Sequence, residues 1–530
     1  MKTLTLQERI ENIFPKELPE RFNDIIPYKE GDTYLINGEI RRAERTSPVY
    51  SSVCLMRDGK PEREFLGNYP MLTGEESMNA LDAAVRAYDN GNGIWPSMTI
   101  RDRMIALSNF VDKMKKQREN VVKLEMLEIG KNKRETEAEF DRTVKYIEDT
   151  IDEMSNLSKR EDGNGTLAYV TRTPNGVTLC MGPSNYPLNE TFTTLIPALA
   201  MGNTVVSKSP KIGMLCLNPL YEAFRESFPE GAINFINGDG REIITPIMQS
   251  GKLDAFAFIG SSGAFDKILE NYPRIRKLRI NAGLEAKNPG IILEDANLED
   301  TIDECVKGAL TYNGQRCTAL KILYVPRSRA NEFVERLSDK VSNLSIGMPW
   351  ENPNITPLPI SPDYFTKFVE DAVSKGAKVI NSEGGKVNGS FFFPAVLYPV
   401  TPDMNIYNQE QFGPVVPVAV YNDIKEVIEA VQKSRYGQQV SIFGTNFENV
   451  RRITNELRNH VSRINLNTQC MRGPDNLPFT GRKDSAVGTL SIRDALDFFS
   501  QPFVVGTKVG IRDSELLIEA TSFLDNCDSE

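Results

Sequence analysis

Cys317 is the residue whose surroundings most invite chemistry. It stands in Gly314-Gln315-Arg316-Cys317-Thr318, after a helix-like stretch ending near Tyr312 and before the strand-like Lys321–Val325. A thiol in a glycine-containing loop beside a guanidinium is biased toward thiolate, the nucleophilic form. A buried, inert thiol is the alternative for any single cysteine, and spacing alone does not choose between the two. The rest of the composition narrows the field. One histidine, His460, is present, so any Ser-His or Cys-His relay would have to run through it. Nucleophilic and acid–base work near neutral pH falls instead to Cys, Lys, Glu or Asp. The seven cysteines (54, 180, 216, 305, 317, 470 and 527) are scattered, with no C-x-x-C pair. They read as reduced thiols of a cytoplasmic protein, without a disulfide framework or a metal site.

The elements that must position this loop follow from apolar periodicity. Segments 78–90 and 101–155 are mostly helical in pattern. Phe140, Val144, Ile147, Ile151 and Met154 form one amphipathic face. Val177–Cys180 is a short apolar run, followed by the turn Gly182-Pro183-Ser184-Asn185. Leu188, Phe192, Leu195, Ile196 and Leu199 then recur at helical spacing until Gly202-Asn203 stops them. The alternation continues with a strand at 204–206, a helix near 214–227, a strand at 232–236, a helix at 241–249 and a strand at 253–259. Strands alternating with helices predict an α/β fold with a parallel sheet of the Rossmann type. A ligand is expected at the C-terminal ends of its strands. No G-x-G-x-x-G follows any of them. Asn237-Gly238-Asp239-Gly240 supplies half of that pattern, as a plain turn also would.

At 530 residues the chain has length for two to four domains and a large core. Its formal net charge is −10, which disfavours nucleic acid or an anionic membrane as the main partner. The first residues lack the apolar core of a secretory signal. No apolar run reaches the roughly 20 residues of a membrane span. The last twenty residues hold six acids and one Arg, which reads as a solvated tail.

Several motifs together resemble the aldehyde dehydrogenase superfamily. They run from Tyr34-Leu35-Ile36-Asn37-Gly38-Glu39, through Gly182–Pro187, Phe258–Gly263 and the Cys317 loop, to Glu410-Gln411-Phe412-Gly413-Pro414 and Pro478–Ser485. Within it, Gln315-Arg316-Cys317-Thr318-Ala319 and Arg472–Phe479 most resemble the non-phosphorylating, NADP-dependent glyceraldehyde-3-phosphate dehydrogenases. The resemblance implies Cys317 as nucleophile. It implies the Asn185 amide and the Cys317 N–H as donors to the negative oxygen that forms. The thioester that follows is hydrolysed to the acid. The family usually reads Leu-Glu-Leu-Gly-Gly-Lys at the water-activating carboxylate. This chain reads Ala282-Gly283-Leu284-Glu285-Ala286-Lys287, so the base position falls on Gly283. Glu285, two residues on, faces the same side in extended backbone and is the expected substitute.

For the cofactor, Lys208 matches the residue near the adenine ribose. Three residues on, NAD-preferring members often carry Glu, and here stands Lys211. A cation there suits a 2′-phosphate, so NADP is expected. Gly260 and Ser261 match the segment where pyrophosphate meets a helix start. Glu410 and Phe412 match the nicotinamide-ribose and ring contacts. Gly182, Ser184, Gly240 and Leu284 complete the cofactor set. Arg142, Arg316 and Arg472, with Tyr186 and Thr318, are implied to hold a phosphorylated small-molecule aldehyde. Without the resemblance, Arg142 lies opposite its helix's apolar stripe and reads as a surface residue.

The resemblance implies a Rossmann-type cofactor domain (36–157 and 175–278) and an α/β catalytic domain (279–470). It adds a small β oligomerisation element (158–174 and 498–510) that builds a homodimer or homotetramer. An N-terminal extension (1–35) and an acidic tail (511–530) flank them. Gly283 keeps two other readings open. One is an enzyme for a different aldehyde, or one passing its thioester to coenzyme A. The other is a non-catalytic, dinucleotide-binding member.

Overall fold

The computed structural model describes residues 4–525. Its first sheet grows from the apolar runs between 177 and 283. Strands β1 (Val177–Met181), β2 (Thr204–Lys208), β3 (Ile233–Ile236), β4 (Ala255–Ile259) and β5 (Arg279–Gly283) lie parallel in the order β3-β2-β1-β4-β5. β1 is buried along its whole length, as a strand covered on both faces must be. The chain builds outward from β1 to β3, then returns to the other side of β1 for β4 and β5. The order reverses beside β1, so a crevice opens at the C-terminal ends of β1 and β4. Antiparallel strands Thr33–Ile36 and Ala486–Val487 pair with β3 and β5.

Helices α1 (Lys133–Met154), α2 (Asn189–Ala200), α3 (Gly240–Gln249) and α4 (Ser262–Leu269) belong to this half. The α1 stripe of Phe140, Val144, Ile147 and Met154 is buried, with Ile151 packed against the same core. α2 is buried at every position. The helix expected near 214–227 divides into a 3-10 segment, Leu215–Leu220, and an α-helix, Tyr221–Ser227.

The second sheet holds β6 (Pro289–Ile292), β7 (Ile322–Pro326), β8 (Lys378–Val379), β9 (Ala395–Tyr398), β10 (Val415–Tyr421), β11 (Gln439–Phe443) and β12 (Arg463–Leu466). Their order is β8-β9-β10-β7-β6-β11-β12, and only β8 is antiparallel to its neighbour. β5 pairs in the first sheet, so the second sheet begins at β6, ten residues beyond the boundary expected at 279. Helix α5 (Leu298–Leu310) leads from β6 toward the Cys317 loop. Strands Lys159–Gly163, Thr166–Pro174 and Ser500–Lys508 form a separate antiparallel sheet.

Both ends differ from expectation. Residues 4–35 are packed down: Ile10 and Phe14 join the core of the second sheet, Phe22 and Ile25 that of the first. The tail is a helix over Ile511–Asp525, with 526–530 outside the described residues. Leu517 and Thr521, one turn apart, are buried beneath its acidic residues. The long hairpin Thr46–Arg57 with Lys60–Pro70 had no counterpart in the sequence reading. No helix among the described residues is long and apolar enough to cross a membrane.

Candidate active site

The approach to Cys317 is held in unusual backbone. After α5, Tyr312, Asn313 and Gly314 have φ of 50°, 53° and 71°, left-handed values that cost a bulky residue energy. Tertiary contacts hold them there. The Tyr312 hydroxyl donates to the Ile129 carbonyl at 3.1 Å, and the Asn313 amide donates to the Thr356 carbonyl at 3.0 Å. At Gly314 a Cβ would come within 2.6 Å of the Ala309 oxygen and 2.7 Å of the Gly413 oxygen, so a side chain is excluded. Beyond the turn, the Cys317 carbonyl accepts from Asn288 Nδ2 and from Lys321 Nζ, each at 2.8 Å. Among the described residues no acceptor takes the Cys317 N–H.

A cleft of about 480 Å³ opens at this point between the two sheets. Cys317, Asn185 and Glu285 line it. So do Ser184, Gly260, Ser261, Leu284, Glu410 and Phe412 from the expected cofactor set. Arg142, Tyr186, Arg316, Thr318 and Arg472 from the expected substrate set complete the overlap. The β1 and β4 turns deliver Ser184, Asn185, Gly260 and Ser261, on the two sides of the crevice where strand order reverses. Four expected cofactor residues do not line the cleft. At Gly182 a Cβ would fall 1.8 Å from Thr191 Oγ1, so the close approach of α2 accounts for that glycine. Gly240 opens α3. Lys208 ends β2 opposite Met181 of β1, on the same strand-end edge, and Lys211 is exposed beyond it. The sequence reading missed Glu190, Tyr364, Gln469 and Met471, which also line the cleft. Glu190 did carry a signal, since it is the one charged residue on α2, and acidic residues are rarely buried unless paired.

Charges in the cleft are paired in ways that spacing did not reveal. Arg472 Nη1 donates to Glu190, both buried. Arg142 binds Asp475 through two nitrogens, at 3.0 and 2.6 Å, so the residue that read as surface is tied across the cleft. Arg316 turns Nη2 onto the carbonyls of Lys307 and Gly308 and onto Gln469 Oε1. Its charge is therefore committed elsewhere than at the thiol, contrary to the sequence expectation. The Nε atoms of Arg316 and Arg472 are buried with no acceptor. Burial pushes the Cys317 thiol above the usual cysteine range, and Glu190 adds to this, while Lys321 and Arg472 pull it back.

The remaining polar groups divide between the two sides. Asn185 Nδ2 donates to the Gln315 carbonyl at 2.8 Å, which fixes its amide against the nucleophile loop. Glu410 is buried, pairs with Lys321 at 2.6 Å and accepts from the Ala286 N–H at 3.1 Å. Glu285, the expected base, turns its carboxylate to the first turn of α4. There it accepts from the Ser262 N–H at 3.2 Å and from the Ser262 hydroxyl. A helix start attracts an anion, which is the physical reason for that orientation. Burial lowers the Lys208 ammonium to about 8, with Asp239 opposing and Lys211 adding.

Comparison with known proteins places this geometry. The model of the aldehyde dehydrogenase family matches residues 59–505. An NADP-dependent glyceraldehyde-3-phosphate dehydrogenase of Streptococcus equinus is 32% identical over 473 residues, covering 87% of this chain and 95% of its own. One from Arabidopsis thaliana is 32% identical over 350 residues, 65% of this chain and 69% of its own. The crystal structure of the Bacillus halodurans C-125 NADP-dependent glyceraldehyde-3-phosphate dehydrogenase, complexed with NADP, superposes with a TM-score of 0.83. It is 30% identical and covers 91% of this chain and all of that one.

Proposed function

This chain belongs to the aldehyde dehydrogenase family, and from that premise we propose that it oxidises glyceraldehyde 3-phosphate to 3-phosphoglycerate with NADP, without inorganic phosphate. One observation carries the reading. Cys317, with its N–H unclaimed, and Asn185 share a cleft with two buried guanidinium Nε donors that lack acceptors. The first pair suits an oxyanion, the second an anionic substrate end.

The residues present also fit NADP. Lys208 and Lys211 stand close enough at the β2 end for the Lys211 charge to act on Lys208. No carboxylate stands at 211 to repel a 2′-phosphate. The Ser262 N–H and hydroxyl already hold an anion, the Glu285 carboxylate, at the α4 start. Lys208, Lys211, Gly260 and Ser261 would hold the phosphates, and Glu410 and Phe412 the nicotinamide end. When bound, NADP supplies the acceptor for the hydride that converts the aldehyde adduct on Cys317 to a thioester.

The chain's own residues do the rest. Cys317 attacks the aldehyde carbon as thiolate, and a C–S bond forms. The oxygen that becomes negative accepts from the Cys317 N–H and the Asn185 amide, donors fixed before the charge develops. Arg316 and Arg472 offer their guanidinium charge to the substrate phosphate, with Arg472 Nε lying 3.7 Å from Asp475 Oδ1, while Arg142 is held by the same Asp475 at the edge. Water then splits the thioester and returns the thiolate.

The reading is tested by mixing purified protein with glyceraldehyde 3-phosphate and NADP, phosphate omitted, and following NADPH. Formation is expected with the wild type and none with Cys317→Ser. A wild-type protein that forms no NADPH overturns the reading. Gly283 favours a second reading, transfer of the thioester to coenzyme A. An acyl-coenzyme A product in place of the free acid would identify it.

A further inference from the structure

Hydrolysis of a thioester needs a base beside the acyl carbon, and position 283 offers none. Three carboxylates line the cleft: Glu190, Glu285 and Glu410. Glu285 is turned to Ser262 at the α4 start. Glu410 is committed to Lys321 and the Ala286 N–H, and the proposed reading gives it the nicotinamide side. Glu190 differs. It rises from the first turn of α2, five residues after Asn185, and is buried at 7% exposure. Its Oε2 accepts from Arg472 Nη1, whereas no donor among the described residues reaches Oε1. It is also the carboxylate whose charge acts most strongly on the Cys317 thiol.

We propose that Glu190 is the general base that activates water for hydrolysis of the Cys317 thioester, in place of the carboxylate absent at 283. The inference rests on the aldehyde dehydrogenase reading of the cleft. In the step, the water oxygen attacks the acyl carbon and one water proton passes to Glu190 Oε1. The C–S bond then breaks and Cys317 leaves as thiolate. The carboxylic acid ionises into solvent, and Glu190 releases its proton before the next turnover. Arg472 aims Glu190 through Nη1. Arg472 Nε, 3.7 Å from Asp475 Oδ1, is a different atom from the Nη1 that holds Glu190. Gly283 itself is not a steric necessity. A Cβ there would meet Ile259 and Leu490 at 3.6–4.0 Å, ordinary contact distances.

The test uses the full chain and an activated aryl acetate, with no cofactor. Cys317 takes the acetyl group, the phenolate leaves, and hydrolysis of the same kind of thioester is followed alone. With Glu190→Gln, acylation is expected to persist while deacylation slows by about 10²–10⁴-fold. The acetyl group should then accumulate on the Cys317 peptide by mass spectrometry. Adding Gly283→Glu to that variant should restore turnover, which a merely misfolded Glu190→Gln protein would not allow. Wild-type deacylation in Glu190→Gln, loss of acylation itself, or failure of the Gly283→Glu rescue each overturns the proposal. So does a stall in Glu285→Gln alone. Because no cofactor or aldehyde enters, a negative result here is distinct from failure of the NADPH assay above.

Discussion

Cys317 works under opposing fields. Burial and Glu190 hold its proton on, and Lys321 and Arg472 draw it off. The neutral thiol is favoured overall, so the thiolate fraction falls as pH falls. The pH–rate profile for acylation should therefore show an ascending limb whose midpoint lies above the ordinary cysteine value of about 8.5. A midpoint near 7 would contradict this balance. In the proposed mechanism Asn185 gives one of two hydrogen bonds to the developing oxyanion, and Asn185→Ala should lower kcat by about 10²–10³-fold with the fold intact by circular dichroism. Arg316 has one buried donor, Nε, without an acceptor, and the proposed reading gives this guanidinium to the substrate phosphate. Arg316→Met should cut kcat/KM for the phosphorylated aldehyde by about tenfold to a hundredfold, the worth of a charged hydrogen bond. An unphosphorylated aldehyde should suffer much less, and equal losses would refute the phosphate contact. The Cys317 loop stood out in the sequence because its residue types are themselves the signal. The partner of each arginine was not, because Glu190 and Asp475 lie 282 and 333 positions away along the chain.

At the scale of elements, α1 and the helix before it, Arg118–Ile129, meet in a buried ion cluster. Lys131 is fully buried, pairs with Glu125 at 3.0 Å and with Glu139, and sits 3.7 Å over the Tyr186 ring. Glu139 in turn accepts from the Asn189 N–H at the start of α2 at 3.0 Å. One cluster thus ties α1 to α2 and fixes the tyrosine wall of the cleft. Lys131→Met leaves two carboxylates buried without their cation, and should cost about 3–5 kcal/mol of stability in denaturant unfolding. A loss under 1 kcal/mol would show that water reaches the cluster. The helical pattern of α1 was readable from its apolar stripe. Its polar residues read as solvated because spacing cannot tell a face turned to water from one turned to another helix.

At the scale of the molecule, two mostly parallel sheets supply the loops that line the cleft, and a third, antiparallel sheet is separate from both. That third sheet carries Phe503 and Val504 on Ser500–Lys508, both exposed. The Lys159–Gly163 edge strand is exposed throughout. Exposed edges and apolar strand residues favour pairing with another chain, and a homo-oligomer built through this sheet is the expected assembly. Joint Phe503→Lys and Val504→Lys substitution should lower the molar mass seen by light scattering to that of one chain. An unchanged mass would place the interface elsewhere. The sequence by itself determined most strands and helices between 133 and 259, and it singled out the Cys317 loop. Those depend on periodicity and residue type over a few neighbours. Only the tertiary structure decided that Arg316 is turned from the thiol, that Glu285 caps α4, and that Glu190 enters the cleft. Such outcomes depend on which distant groups share a low-dielectric space, where an unpaired charge is costly and each side chain settles on the partner within reach.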